Sequence, residues 1–292
     1  MPLCIRGSYD VDDLSRSEIL LKTLTRFAEP SLIQQFCVVV PDAEVDIVRE
    51  RYGDRWQHLN LEVISEEALL PELKSHQKVR GWRKQQLIKL AAPRIIKSKF
   101  VITFDADVIC LKPLTEEKLL PEGRGLLQFE NRSQHPKWWR SSSKILAMDA
   151  NVGDPELGMS VTPAIMSTEL TLALTEELSS LTGKNWVHAL CSLHNPKDFR
   201  NWRISRYLQN KWTEYSLYYL FSHKVGKFNQ YHITAGTENT PQVLLIHDSH
   251  PFETWSPAKN FSDECPGLFC VVGSKTFLEP AVVWDKIKPF VE

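Results

Sequence analysis

Short apolar runs alternate with amphipathic stretches over the first third of the chain. The run Phe36–Val40 is apolar throughout and ends at Pro41, which predicts a buried parallel strand, and residues 61–64 predict a second strand. Apolar residues recur at helical spacing over residues 14–28 and 44–52, which predicts helices there. This order predicts an α/β fold with a central, mostly parallel sheet flanked by helices, and with ligand-binding groups at the carboxyl ends of the strands.

The pattern is less regular after residue 112. We predict strands at residues 125–130 and 159–166, and a helix at residues 168–181 that ends before Gly183. No internal repeat, low-complexity tract or obvious linker divides the sequence. We therefore predict one domain over residues 1–292, made of two halves, 1–112 and 113–292, with a soft boundary.

The apolar, β-branched stretch at residues 100–110 carries two carboxylates one residue apart, Asp105 and Asp107. Burial of an unpaired carboxylate is unfavourable, so two of them at the end of a buried strand indicate a bound cation. Hard oxygen ligands favour Mg²⁺ or Mn²⁺ over zinc or copper, and a diphosphate is the expected partner of that ion. In the alternative interpretation, the two side chains cap the next segment or pair with Lys112.

A helix predicted at residues 81–92 comes shortly before this stretch. Gln85 and Lys89 lie four residues apart on one face with Gln86 beside them, whereas Leu87 and Leu90 lie on the apolar side. A helix with amide and cationic groups, followed by a strand with paired carboxylates, resembles the GT-A glycosyltransferases. The resemblance implies a GT-A, Rossmann-like fold in which a sugar-nucleotide lies between this helix and the Asp-x-Asp metal site.

Several motifs, in order along the chain, resemble a little-characterised bacterial and viral family of GT-A-like proteins. They are an SY-x-x-D loop from Ser8, a GW-x-x-QQ-x-x-K helix from Gly81, the Asp-x-Asp strand and an S/T-EY-x-LY helix from Thr213. The resemblance implies that the nucleotide-sugar contacts Ser8, Tyr9, Asp10, Gln85, Gln86, Lys89 and Asp105. The family pattern has Tyr-Arg where this chain has Arg83 and Lys84, which leaves open which side chain meets the diphosphate.

Glu214 follows Thr213 at the start of the S/T-EY-x-LY helix. Acidic residues are favoured in the first turn of a helix, so Glu214 fits an exposed helix-start residue next to inward-facing tyrosines. The family resemblance instead implies a position beside the sugar. There Glu214 would be the general base of an inverting transfer, or would hold sugar hydroxyls in a retaining one.

A late strand predicted at residues 243–246 is followed directly by His247. This arrangement resembles the C-terminal histidine that completes the metal shell in many GT-A enzymes. The resemblance therefore implies that His247 is a metal ligand together with Asp105 and Asp107, and His250 is the next candidate. A histidine at the end of a strand is otherwise typical of a hydrogen-bonded surface residue.

These resemblances together imply a metal-dependent glycosyltransferase. It would use Mn²⁺ or Mg²⁺ to move a sugar from a nucleotide-sugar, a UDP-hexose, to a saccharide or glycan hydroxyl, free or lipid-linked. Residues 1–112 would bind the donor and residues 113–292 the acceptor. One alternative is a nucleotide- or glycan-binding protein on the same scaffold that catalyses nothing.

A phosphatase with an Asp-x-Asp nucleophile is a further alternative. In such enzymes a Thr or Val stands two positions after the second Asp, where this chain has Ile109. No later Asp-Asp pair supplies further metal ligands. The sequence therefore favours the transferase.

Composition indicates a folded protein without a nucleic-acid partner. Of the 292 residues 42% are hydrophobic, and the formal net charge is -1. No apolar run approaches the ~18 residues of a membrane span. The start also lacks the apolar content of a signal peptide, so we expect a cytoplasmic protein, free or peripheral at the membrane. The six cysteines show no metal-binding spacing and are expected to be reduced core residues.

Nine tryptophans are many for this length, and several in the second half lie beside Arg or Lys. Trp138, Trp139 and Trp212 are examples. These side chains either pack in the core or line an acceptor cleft, in which rings lie against sugar faces and cations contact an acidic glycan or a lipid-linked phosphate. The sequence favours neither interpretation.

Overall fold

The computed structural model describes residues 1–4, 13–194, 209–236, 243–249, 255–273 and 278–292, with the backbone alone for 247–249. About half of these residues are helical. The helices are α1 Asp13–Phe27, α2 Val45–Tyr52, α3 Glu66–Leu69, α4 Gly81–Ala91, α5 Glu116–Leu119, α6 Pro136–Ile145, α7 Thr168–Thr182, α8 Trp186–Ser192, α9 Glu214–Lys224, α10 Phe228–Tyr231, α11 Pro257–Asn260 and α12 Pro280–Val291. The strands are β1 Phe36–Val40, β2 Leu61–Ser65, β3 Phe100–Thr103, β4 Val108–Cys110, β5 Gly125–Leu127, β6 Phe129–Asn131, β7 Leu157–Met159, β8 Ala164–Ser167, β9 His232–Thr234, β10 Leu244–Ser249 and β11 Gly267–Val271.

The main predicted elements of the first third are confirmed. β1 and β2 pair in parallel, from Phe36 with Leu61 to Val40 with Ser65. Every residue of β1 is buried, and a strand covered on both faces needs the continuous apolar run that the sequence carries. α1, α2 and α4 form close to their predicted bounds. In the second half, α7 ends as predicted at Gly183, whose φ of 64° is left-handed.

The strands pair differently from the predicted central, mostly parallel sheet. Across the described residues they form five small sheets, with three parallel and three antiparallel strand pairs. The stretch at residues 100–110 divides into β3, which pairs antiparallel with β8, and β4, which pairs antiparallel with β11. Both antiparallel partners come from the second half, where the connections do not follow the βα alternation. The stretch at residues 159–166 also divides, into β7 and β8, and Pro163, which has no amide hydrogen to donate, lies between them.

β3 runs between the two large apolar clusters of the protein. One cluster joins α4, α7, α8 and α9 and includes Val101, and the other joins α1, β1, β2 and β11 and includes Phe104. Five cysteines are buried thiols in agreement with the prediction, namely Cys37, Cys110, Cys191, Cys265 and Cys270. Strands of residues 1–112 pair with strands of residues 113–292, so the two predicted halves share sheets. The division into a donor half and an acceptor half stays a prediction.

α9 is buried along most of its length and begins at the candidate site. Its residues from Glu214 to Ser222 are all buried, and it packs against α4, α6 and α7. The Thr213 hydroxyl accepts a hydrogen bond from the Ser216 amide, and the Ser216 hydroxyl accepts one from the Thr213 amide. This capping box fixes the first turn of the helix, so Glu214 has a defined position against α4.

Candidate active site

Lys89 lies buried between two carboxylates from distant parts of the chain. Its Nζ atom is 2.8 Å from Asp105 Oδ1 and 3.1 Å from Glu214 Oε1. The side chains of Lys89 and Glu214 are each 5% exposed, whereas that of Asp105, just after β3, is 40% exposed. We call these three residues the Lys89 bridge. The structure thus brings together two residues that the sequence assigned to the nucleotide-sugar and one that it assigned to catalysis.

Hydroxyl groups complete the surroundings of the ammonium group. Lys89 Nζ donates to the Tyr215 hydroxyl at 3.3 Å. That hydroxyl is 2.7 Å from Thr103 Oγ1 and 3.2 Å from Thr162 Oγ1. None of these three hydroxyl residues was assigned from the sequence, because only the packing of α9 on β3 brings them to Lys89. A buried polar group with this many partners is held in one arrangement.

The charges of the bridge follow from burial and from the two carboxylates. Burial disfavours a charged Lys89, but Asp105, Tyr215 and Glu214 outweigh it and raise the pKa of Lys89 well above its ordinary value. Burial raises the pKa of Tyr215 to about 12. At neutral pH Lys89 is therefore a cation and Tyr215 a neutral hydroxyl. The Lys89 ammonium contacts Asp105, Glu214 and the Tyr215 hydroxyl, so it holds the two carboxylates in place.

Arg83 is a second buried cation near Glu214. Its guanidinium donates to the main-chain oxygen of Trp212 and, at 2.9 Å, to that of Asn210. Burial lowers the pKa of Arg83 to about 10, and the Glu214 carboxylate opposes that change. Arg83 thus holds the segment that leads into α9. In the sequence, Arg83 stood out only as a departure from the family pattern, which has Tyr at this position. Its role became visible with its contacts to the main chain of Asn210 and Trp212.

The two glutamines of α4 lie in different surroundings. Gln86 is 2% exposed, and its Oε1 accepts a hydrogen bond from Arg83 at 2.8 Å. Its Nε2 atom has no hydrogen-bond partner among the described residues. Gln85 is half-buried and can be reached from solvent. The loop residues predicted to meet the nucleoside, Ser8, Tyr9 and Asp10, lie outside the described residues.

Asp107 lies beside the end of β11. Its main-chain oxygen accepts a hydrogen bond from the Val272 amide at 3.1 Å, and a Cβ atom placed on Gly273 would lie 3.7 Å from Asp107 Oδ2. Lys112 donates to the main-chain oxygens of Asp263, at 3.1 Å, and Cys265. The alternative interpretation paired the acidic residues with Lys112. The ammonium of Lys112 is instead bound by main-chain oxygens, and Asp105 pairs with Lys89.

The sequence predicted His247 directly after a strand at residues 243–246, but β10 extends from Leu244 to Ser249, so position 247 is inside the strand. The end of β10 is at the same end of its sheet as Asp107. Ser249 of β10 is opposite Val271 of β11, and Val271 is opposite Val108, the residue after Asp107. Neighbouring strands are ~4.8 Å apart, so the end of β10 lies roughly 10 Å from the start of β4. The assignment of His247 as a ligand stays a prediction, since only its backbone is described, and His250 lies outside the described residues.

The two carboxylates suit a divalent cation in their chemistry and exposure. Both are oxygen donors between β3 and β4, and both are partly exposed. Within the described ranges, no three His, Cys, Asp or Glu side chains lie together in a cluster that could hold a metal. Asp105 and Asp107 thus offer two oxygen donors of the kind that Mg²⁺ and Mn²⁺ bind, and the remaining ligands of such an ion would come from a diphosphate, water or residues outside those ranges.

A cavity of about 490 Å³ runs along β1 and β3. Apolar residues such as Phe36, Ile88 and Phe100 line most of it, and it reaches Lys89 and Thr103 at one side. The Asp105 and Glu214 carboxylates do not line this cavity. The cavity thus borders the Lys89 bridge without containing either carboxylate, so we assign the chemistry to the bridge.

Comparison with known proteins agrees with a glycosyltransferase fold. Residues 1–292 match the model of DUF6492, a family of unknown function. The chain belongs to this family. Its structure is also similar to the crystal structure of mouse xyloside xylosyltransferase 1 in the apo form, with a TM-score of 0.52. The match covers 94% of this chain and 97% of that chain at 12% sequence identity, so it shows the fold alone.

No curated protein matches the DUF6492 chain. Among the described residues, no helix combines the length and apolar character needed to cross a membrane. The expected fold is supported in its coarser part: the structure is similar to that of a glycosyltransferase, whereas the described strands do not form a central, mostly parallel sheet.

Proposed function

We propose that this DUF6492 protein is a metal-dependent glycosyltransferase. It moves a sugar from a nucleotide-sugar, a UDP-hexose, to a saccharide or glycan hydroxyl. The observation that carries the proposal is the Lys89 bridge, in which a buried lysine joins the first Asp-x-Asp carboxylate to Glu214. The likeness of the fold to a glycosyltransferase structure supports it over the phosphatase alternative.

Asp105 and Asp107 are the residues that would hold Mn²⁺ or Mg²⁺. When bound, that ion neutralises charge on the leaving diphosphate. Lys89 keeps Asp105 in place and adds positive charge close to the same region. Gln85 on the accessible side of α4 contacts the ribose or diphosphate, and the loop at Ser8, Tyr9 and Asp10 contacts the nucleoside.

Glu214 is the candidate general base for an inverting transfer. A base must come within hydrogen-bond reach of the acceptor hydroxyl, ~2.6 to 3.2 Å. Because Glu214 and Asp105 bind the same ammonium, the base and the donor site are held close to each other. Lys89 also orients the Glu214 carboxylate. In a retaining transfer, Glu214 would instead hold hydroxyls of the donor sugar.

A nucleotide- or glycan-binding protein without turnover is the second candidate. The 5% exposure of the Glu214 side chain and its contact with Lys89 favour it, since an enclosed ion-paired carboxylate can serve the fold alone. Turnover separates the two candidates, because a binding protein releases no nucleoside diphosphate.

The test measures both donor binding and donor turnover. Purified protein is titrated with UDP and with a panel of UDP-hexoses, with and without Mn²⁺, and UDP release is followed with saccharide acceptors. We expect binding to need the ion and to weaken about 10- to 100-fold or more in Asp107→Asn. Asp285→Asn, an exposed carboxylate on α12, is the matched control and should behave as wild type.

Metal-independent UDP binding that is unchanged in Asp107→Asn contradicts the metal site. Metal-dependent binding without UDP release in any acceptor mixture favours the binding protein over the enzyme.

A further inference from the structure

An aromatic surface lies at the starts of α4 and α6. The Trp82 side chain is 51% exposed, and its ring centroid is 6.3 Å from that of Trp138, with the ring planes 38° apart. The His135 ring stacks on Trp138 at a centroid distance of 3.8 Å, with the planes 18° apart. We call Trp82, Trp138 and His135 the aromatic platform.

Packing of the fold does not explain the exposure of this platform. Trp82 is the most exposed large apolar side chain of the described residues, whereas Trp139, next to Trp138, is 4% exposed and lies in the core. The chain thus buries one of two adjacent tryptophans and leaves the other beside an exposed indole. Exposed aromatic groups that lie together mark binding surfaces more often than isolated ones do.

The platform is connected to the Lys89 bridge through α4. Trp82 and Lys89 are seven residues apart on this helix, which is about two turns, or ~10 Å along the axis. The guanidinium of Arg83 lies 4.5 Å from the centroid of the Trp82 ring, and the same group binds the segment before Glu214. α6 is joined to the start of α9 by a contact of 2.7 Å between Ser142 Oγ and Ser216 Oγ. The platform is therefore carried by two helices that both contact the helix that begins at Glu214.

The surroundings of the platform carry positive charge. Residues 73–104, which include Trp82, contain no acidic side chain, and neither do residues 131–148, which include Trp138 and His135. The exposed cations nearest to the platform along the chain are Lys78, Arg80, Lys137 and Arg140. A ligand that lies on the platform thus meets cations and no carboxylate from the same segments, which favours an anionic group on that ligand.

We propose that the aromatic platform binds a sugar ring of an anionic acceptor saccharide. Indole and imidazole faces stack against the apolar face of the ring, and the exposed Lys and Arg side chains bind a carboxylate or phosphate of the same molecule. This inference rests on the proposed glycosyltransferase function, and it names the acceptor class. The anion comes either from a uronic acid or from a lipid-linked diphosphate.

The test measures saccharide binding directly, without donor or turnover. Indole N–H resonances of the protein are followed by NMR during titration with three probes. The first is a tetrasaccharide of alternating uronic acid and N-acetylhexosamine, and the second is its carboxyl-reduced neutral form. The third is N-acetylglucosamine diphosphate on a short polyprenyl chain. Variants are Trp82→Ala, Trp138→Ala and Trp82→Phe, with Trp284→Ala as the control on α12, where Lys22 lies 4.0 Å from the ring centroid.

We expect at least one anionic probe to bind more tightly than the neutral probe and to shift the Trp82 and Trp138 signals. Trp82→Ala and Trp138→Ala should weaken that binding about 2- to 10-fold, as for the loss of one aromatic contact, and Trp82→Phe should retain most of it. Trp284→Ala should bind as wild type does. Preference for the first or the third probe identifies the source of the anion.

Several results would overturn the inference. They are no binding of any probe to the wild-type protein, a preference for the neutral probe, or equal binding by Trp82→Ala and Trp284→Ala. An equal loss of Mn²⁺-dependent UDP binding in Trp82→Ala would also overturn it, because the substitution would then act through the fold. Failure of the donor test with Asp107→Asn, in contrast, contradicts the proposed function and leaves these binding results as they are.

Discussion

Replacement of Lys89 by methionine removes the cation of the Lys89 bridge and nearly keeps the side-chain length. Asp105 is 40% exposed, so water can solvate its carboxylate after the change. The Glu214 side chain is 5% exposed, so its carboxylate is left buried without that partner. Removal of one member of a buried ion pair typically costs 3–5 kcal/mol, and we expect about 3 kcal/mol or more of lost unfolding free energy for Lys89→Met.

A double-mutant cycle isolates the contact between Lys89 and Glu214. Glu214→Met alone leaves Lys89 paired with Asp105, so it should cost less, about 1–2 kcal/mol. In Lys89→Met/Glu214→Met no buried charge of the pair remains, and the loss should fall below the sum of the single losses by about 2 kcal/mol. The assay is urea denaturation at pH 7, followed by circular dichroism.

Lys74→Met is the control for this cycle. Lys74 pairs with Glu67 at 3.2 Å, and the two side chains are 66% and 36% exposed, so its loss should change stability by less than about 1 kcal/mol. If Lys89→Met costs as little as Lys74→Met, or if the two bridge substitutions are additive, then the bridge is not the buried, coupled unit described above.

Three further predictions test other parts of the molecule. Glu214→Gln should lower sugar transfer about 10²- to 10⁴-fold while Mn²⁺-dependent donor binding persists, and near-normal transfer would return Glu214 to a structural role. His247→Ala should lower metal affinity about 10- to 100-fold without loss of the circular dichroism spectrum, and an unchanged affinity would turn attention to His250. Burial lowers the pKa of His232 from 6.5 to about 4, where its Nε2 lies 2.6 Å from the Tyr218 hydroxyl. Between these pH values the unfolded chain takes up a proton that the folded chain refuses, so stability should fall as the pH falls from 6.5 to 4, by about 3 kcal/mol. Urea denaturation across this range should show a smaller loss in His232→Gln, and an identical pH profile in that variant would refute the assignment.

Local features of the sequence were enough to predict several helices and strands. The continuous apolar run of β1 predicts a strand covered on both faces, and the structure buries every residue of it. Gly183 predicted the end of α7, because a left-handed residue there favours glycine. The sequence also singled out Asp105 and Asp107 as carboxylates in an apolar stretch; the structure leaves both partly exposed, and their assignment as metal ligands stays a prediction.

Tertiary structure alone decided the partners of these groups. The sequence pattern placed Lys89 on the polar face of its helix, yet the structure buries it, because Asp105, Tyr215 and Glu214 come to it from β3 and α9. The antiparallel pairing of β3 with β8, where a mostly parallel sheet was predicted, also depends on how distant segments pack. Periodicity reports which face of an element is apolar, but an ion pair between two helices depends on how those helices pack, and that is a property of the whole fold.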